Sequence, residues 1–355
     1  MSKKELAARM LDNGIARFWS AAGGRYKGVR ILAYHRVLDD EPGSFPFDDE
    51  VISARTEAFR EQMKFARRNF DIVSFRDLRQ CETEGRAWPE RGLIVTFDDG
   101  YSDNYSNAFP VLEEMGIPAT IFLTTSHIGQ KKLFWWDQIA YSVKQASRRS
   151  IHYPELSSEP VSLASAADRR RAIGMILDYV KEIPEETRLR FQDRLYRDLD
   201  ARVPDAFADR MHLSWDEVRA MSARGIDFGS HTMTHPILSN VTGEQLEEEV
   251  SASKKAIEQN TGKEVLAFAY PAGRVSRFNK IVQEAVARAG YAYAVSYEEG
   301  LALQNHSDRY RLSRIHVERG HSPSLFRANV MFPGLMFKQE LAVYASVALA
   351  FSSWV

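Results

Sequence analysis

Short, unbroken apolar runs alternate along the chain with longer stretches whose apolar residues recur every three or four positions. The runs at 31–34, 72–74, 93–97, 119–124, 265–270, 291–296 and 311–317, with a shorter one opening at Ile226, predict strands. Lacking polar alternation, they read as strands buried on both faces, the pattern of a parallel sheet. The intervening stretches predict helices. Phe59, Met63, Ala66 and Phe70 form an apolar stripe over 56–70, and residues 75–80 predict a short helix. Residues 104–115 end at Gly116. Ser214 with Glu217 caps a helix ending near Gly225, Thr242 with Gln245 caps one ending at Gly262, and 279–289 ends at Gly290. About eight strands interleaved with helices predict an α/β fold, a distorted (β/α) barrel or a barrel-like open sheet.

From 131 to 212 the alternation stops. This stretch is charged and helical, clearest over 169–180 and 186–199, and reads as an insertion into the barrel. It opens with Phe134, Trp135, Trp136 and Asp137, a cluster that packs the insertion onto the barrel or stacks on a sugar ring. The expected plan is an N-terminal helix within 1–30, a barrel over 31–130 and 213–320, the helical insertion over 131–212, and a C-terminal apolar helix within 321–355. Residues 341–355 are nearly uncharged, yet 15 residues fall short of the roughly 20 that span a bilayer. A docked helix, a helix lying in a membrane surface and a subunit contact all remain open for them.

With 355 residues, 44% of them hydrophobic, the chain can bury a substantial core. A net charge of −1 without a long basic run argues against nucleic acid as a partner. The single Cys81 excludes an internal disulfide framework and suits a reducing compartment. Asp12, Asn13 and Arg17 interrupt any apolar core of a secretory signal. The expected location is the cytoplasm, with the inner membrane surface as the alternative if the C-terminal helix meets the membrane.

Chemistry concentrates at two strand ends. The run 93–97 leads into Asp98, Asp99 and Gly100, at the end of a parallel strand where α/β folds build their sites. Glycine frees the backbone so that both carboxylates can turn toward one cavity. A solvated turn with Asp99 as a helix cap is the plainer alternative. The second stretch, 226–236, carries His231 and His235 four residues apart, and Pro236 places them on a tight turn after the strand. Two imidazoles and one carboxylate with open positions make a hydrolytic site for a divalent ion. A third histidine, His35, follows the run 31–34.

TFDDG at 96–100, SHTMTHP at 230–236 and FAYPAG at 268–273 resemble, in order, the motifs of the polysaccharide deacetylases, carbohydrate esterases of family 4 sharing the NodB-type barrel. The likeness covers roughly 200 residues. YHRV at 34–37 resembles an element of the permuted poly-N-acetylglucosamine deacetylases. The resemblance implies Asp98 as general base, with Asp99, His231 and His235 as metal ligands. The ion is expected to be zinc, with cobalt, nickel or manganese as alternatives. It further implies an oxyanion and substrate segment at Tyr270, Pro271 and Ala272, centred on the Ala272 N–H, and His35 as the acid, with His316 as the second choice or a supporting group. Many members carry an arginine two or three residues before the third motif's proline. Here those positions are Phe268 and Ala269, and Arg274 or Arg314 is the candidate replacement.

The implied reaction is hydrolysis of the N-acetyl amide of an N-acetylhexosamine, in a polysaccharide or in a lipid-linked or nucleotide-linked glycan precursor, as in exopolysaccharide biosynthesis. A deacylase of another acylated amino sugar and a catalytically impaired carbohydrate-binding homologue are the alternatives. A glycoside hydrolase is disfavoured, because it needs two carboxyl groups roughly 5 to 9.5 Å apart flanking the bond.

Overall fold

The computed structural model describes residues 28–333, apart from Pro42, residues 305–307 and the side chain of Val275. Residues 1–27, which hold nearly all of the expected N-terminal helix region, and the apolar stretch 341–355 lie outside the described residues.

Seven parallel strands close into a ring. In chain order they are β1 (Arg30–Tyr34), β2 (Gly92–Phe97), β3 (Ala119–Leu123), β4 (Ile226–Ser230), β5 (Ala267–Ala269), β6 (Tyr293–Glu299) and β7 (Leu312–His316). Neighbours in sequence are neighbours in space, and β1 closes the barrel by pairing with both β7 and β2. An eighth short strand, Asp71–Ile72, pairs with the start of β2. The doubly buried runs form these strands because alternate residues serve two cores. Leu32, Val95, Phe97, Ile121 and Phe268 pack outward against helices such as α1 (Thr56–Asn69), whose stripe of Phe59, Met63 and Ala66 is fully buried. Ile31, Ile94, Phe122, Ala267, Val295 and Leu312 join a second core with Phe75, Leu78 and Cys81 of α2 (Phe75–Thr83).

Differences from the sequence expectation are local. The helix expected over 104–115 begins as a π-helical segment, Asn104–Ala108, before α3 (Phe109–Met115). Gly116 ends it in the left-handed conformation, φ 62°. Between β3 and β4 the chain forms α4 (Trp135–Gln145), a two-residue-by-two-residue hairpin, α5 (Ala166–Glu182) and α6 (Glu185–Leu199). These helices share a core of their own, including Ile139, Ile173, Leu177, Phe191 and Leu195. Helix α7 (Trp215–Ser222) starts with the full Ser214 and Glu217 capping box. At α8 (Gly243–Thr261) the Thr242 hydroxyl accepts from the Gln245 amide. Helices α9 (Lys280–Arg288) and α10 (Pro323–Met331) complete the described chain. No helix among the described residues is long and apolar enough to cross a membrane.

Candidate metal centre and active site

Strands β2 and β4 end at the same rim of the barrel. Asp98 leaves β2 with its amide bonded to the Tyr34 carbonyl, and His231 leaves β4 with its amide bonded to the Leu123 carbonyl. The chain then turns sharply at both places. Asp99 (φ 75°) and Gly100 (φ 76°) adopt the left-handed region in succession, so the glycine alone does not make the turn. A Cβ at Gly100 would also come within 2.9 Å of the Leu123 side chain. Thr232 (φ 70°), His235 (φ 61°) and Ala272 (φ 52°) share this conformation. Four of the five non-glycine residues with positive φ among the described residues therefore belong to this rim. Strain of about 1–3 kcal/mol per residue accumulates where side chains must be aimed at one point.

The point is a buried triad of Asp99, His231 and His235, whose candidate ligand atoms lie within 4.8 Å of one another. Asp99 Oδ1 lies 3.5 Å from His231 Nε2 and 3.6 Å from His235 Nε2, and no hydrogen bond satisfies that oxygen. These spacings match the roughly 3.4 Å edge of a tetrahedron with metal–ligand bonds of about 2.1 Å. Burial pushes the Asp99 carboxyl well up, and the Asp98 and Asp137 charges add to this. Burial also lowers both imidazoles, leaving them neutral. His231 Nδ1 donates to the Ala269 carbonyl at 2.8 Å, which turns its Nε2 lone pair toward Asp99. A buried carboxylate without a donor beside two neutral imidazoles is a donor set that a divalent cation would complete.

Asp98 is adjacent in sequence but opposite in environment. Arg314, fully buried on β7, grips it with two hydrogen bonds of 2.8 and 2.7 Å and donates through Nε to the Ser296 carbonyl. Burial alone would raise the Asp98 carboxyl, but the charge and hydrogen bonds of Arg314, helped by His231 and His35, hold it below the usual carboxylate range. The arginine absent at positions 268 and 269 is thus supplied from the last strand. Arg274 instead lines the pocket and makes no contact with Asp98.

His35 follows β1 with Nε2 3.9 Å from Asp98 Oδ2 and its side chain 21% exposed toward the pocket. Ser53 accepts its amide, and Asn104 donates to its carbonyl. Burial lowers the imidazole to about 4, with Asp98 opposing and Arg314 reinforcing, so it is neutral near pH 7. His316 sits one layer back. It stacks on Tyr297 with ring centroids 3.5 Å apart and does not line the pocket. In the third motif, Tyr270 and Ala272 line the pocket whereas Pro271 does not. The Tyr270 hydroxyl donates to the Tyr310 carbonyl, and its ring stacks on Phe278, so this side chain serves the core. The Ala272 amide makes no backbone hydrogen bond among the described residues. Gly273 lets this loop approach β6, because a Cβ there would lie 2.5 Å from the Tyr297 nitrogen.

The sequence did not mark Glu249 of α8. Its carboxylate accepts from the Met233 and Thr234 amides at 2.7 and 2.9 Å and from the Thr234 hydroxyl, which fastens the turn between the two histidines. Its signal was a glutamate on the face that otherwise carries Leu246, Val250 and Ile257. The aromatic cluster does pack the insertion onto the barrel. Trp136 lies 4.5 Å from His235 and stacks on Phe134, while Trp135 and Trp136 also line the pocket. A larger cavity of about 800 Å³ opens between the insertion and the 127–133 loop, but no residue of the triad lines it.

The chain matches the family model described as polysaccharide deacetylase over residues 86–294, more than half its length. YxkH of Bacillus subtilis (strain 168), which bears polysaccharide deacetylase as a provisional name, is 23% identical over 301 residues, covering 84% of this chain and 75% of that one. The poly-beta-1,6-N-acetyl-D-glucosamine N-deacetylase of Escherichia coli (strain K12) is 34% identical over 95 residues, 26% of this chain and only 13% of that protein. Among solved structures, the Streptococcus pyogenes deacetylase PplD in complex with acetate superposes with a TM-score of 0.55 at 18% identity, covering 84% of this chain and 96% of that one. IcaB from Ammonifex degensii gives a TM-score of 0.52 at 16% identity, covering 86% and 96%. At such identities the structural likeness concerns the fold, and the family match adds the chemistry: this chain belongs to the polysaccharide deacetylase family, hydrolases acting on N-acetyl amide bonds.

Proposed function

We propose that this chain removes acetate from an N-acetylhexosamine unit of a polysaccharide or of a lipid-linked or nucleotide-linked glycan precursor. The observation that carries the reading is the convergence of Asp99, His231 and His235 beside an Asp98 clamped by Arg314. The triad would hold a divalent ion, zinc foremost. Such an ion supplies Lewis-acid polarisation of the acetyl carbonyl and acidifies water from about 15.7 toward 7.

The protein's own groups divide the remaining work. Asp98, ionised and aimed by Arg314, takes the proton of the attacking water. The Ala272 amide donates to the developing oxyanion, an interaction that contributes about 2.7–4 kcal/mol where one such donor has been removed. His35 starts neutral. At 3.9 Å from Asp98 it can accept the proton and pass it to the departing sugar nitrogen. Positioned proton transfer of this kind contributes roughly 10²–10⁴-fold.

Acetate release from N-acetylglucosamine oligomers, measured with and without chelator, tests the reading. Activity should vanish on chelation and return with zinc or cobalt. Release indifferent to chelator would remove the metal-dependent reading.

A further inference from the structure

Three cationic side chains line the same pocket as Asp98 and Asp99: Lys181 from α5, with Arg274 and Arg277 from the loop after β5. Arg277 is 7% exposed, and one of its terminal nitrogens donates to Glu182 at 2.7 Å. Its Nε is buried without any hydrogen-bond partner. Leaving such a donor unpaired is unfavourable unless something enters the pocket to meet it. Lys181 and Arg274 make no hydrogen bond or ion pair through their side chains among the described residues. Burial lowers the Lys181 ammonium and Arg277 lowers it further, with Arg274 adding to this and Asp48 and Asp178 opposing it. Three cations from two elements thus crowd one wall.

Acidic groups share the lining but do not cancel this wall. Asp48 spends one carboxylate oxygen on the Glu50 amide, and burial raises its carboxyl. Glu50 and Asp178 are exposed at the edge. Among the described residues Arg277 alone of the three has a carboxylate bonded to it, Glu182, and a neutral sugar hydroxyl would leave Lys181 and Arg274 without an anionic partner. A phosphate or carboxylate would offer these cationic groups charge-assisted acceptors, which favour such anions over neutral hydroxyls.

We propose that Lys181, Arg274 and Arg277 form an anion subsite, so that the preferred substrate carries a phosphate or carboxylate next to the N-acetylated sugar. This rests on the deacetylase reading and narrows its substrate class. The helical insertion supplies Lys181, which makes the insertion a determinant of substrate choice.

The test compares acetate release from N-acetylglucosamine 1-phosphate, from a glucuronate-linked N-acetylglucosamine disaccharide and from a neutral N-acetylglucosamine oligomer. Wild-type protein is measured beside Lys181→Met and the surface variant Arg274→Gln, at low and high salt. In parallel, N-acetylglucosamine 1-phosphate is titrated calorimetrically into chelator-treated Asp98→Asn protein, where the phosphate has no ion to ligate and no turnover occurs. The expected result is a KM about tenfold lower for the better anionic substrate than for the neutral one. That ratio should shrink at high salt and in both variants, and Lys181→Met should weaken the phosphate titration in parallel. Whichever anion shows the lower KM identifies the source of the charge. Acetate release without anion preference, or a preference untouched by both variants, overturns the subsite alone. No acetate from any substrate while phosphate still binds overturns the deacetylase reading and leaves the subsite standing.

Discussion

The barrel rim and the helical insertion meet at one pocket but are built differently. On the rim, specific bonds hold much of the reactive machinery: Arg314 fixes Asp98, the Ala269 carbonyl fixes His231, and Glu249 fixes the turn between the histidines. The insertion contributes broad surfaces instead, with Trp135, Trp136 and Leu177 as walls and Lys181 as an unpaired charge. On the proposed reading the rim positions a reaction, whereas the insertion selects what reaches it. Rim variants should therefore act on kcat or metal content, and insertion variants on KM.

Asp98→Asn should give the largest effect, a loss of roughly 10²–10⁴-fold in acetate release. Metal analysis of the same protein should find the ion retained, since Asp99 and both histidines remain. Arg314→Met comes next. It leaves the Asp98 carboxylate buried without its partner, a change that typically costs about 3–5 kcal/mol, and it should lower both the melting temperature and kcat. An unchanged melting temperature would show that the clamp does not support the barrel. Glu249→Leu removes the acceptor for two backbone amides and should weaken metal affinity about 10–100-fold, the usual effect of an outer-shell partner. Equilibrium titration with zinc reads it directly. On the insertion side, Trp135→Leu should raise KM severalfold, in keeping with the roughly 0.5–1.5 kcal/mol of an aromatic contact. Metal content should stay put, and a fall confined to kcat would blur the division between the two regions.

The smallest effect on turnover at neutral pH lies at the seam. His127 and His212 sit 5.0 Å apart, ring to ring, and both contact Phe134, with which they form a three-ring cluster. Burial lowers both, His127 from 6.5 to about 4, so the folded protein holds them neutral. The unfolded chain binds protons first as the pH falls. Their contribution is therefore complete above pH 6.5 and drains as the pH drops from 6.5 toward 4, at up to about 1.4 kcal/mol per pH unit for each proton. Melting temperatures across that window should fall with acidification, and His212→Gln should flatten the slope.

The sequence made the strands and the candidate metal triad legible because each is a local pattern: apolar runs without alternation, paired carboxylates before a glycine, two imidazoles before a proline. It named Arg314 only as one of two candidates. The contact with Asp98 joins residues 216 positions apart, and nothing near Leu312 distinguishes a lumen-facing arginine from a surface one. Glu249 was missed although its place on an apolar helix face was readable. Lys181 and Arg277 gave no signal at all, since the insertion folds against the β5 loop only in three dimensions. The left-handed Asp99 was hidden by the more conspicuous Gly100 after it.

The pairing of β1 with β7 has a consequence for when the enzyme becomes competent. His35 comes from the first stave and Arg314 from the last, and both lie outside the 86–294 stretch that defines the family. A growing polypeptide emerging from the ribosome can assemble Asp99, His231 and His235 well before residue 314 is synthesised. On the proposed reading the base, Asp98, stays unclamped until the last stave docks, so the ligand set can form before the base is positioned.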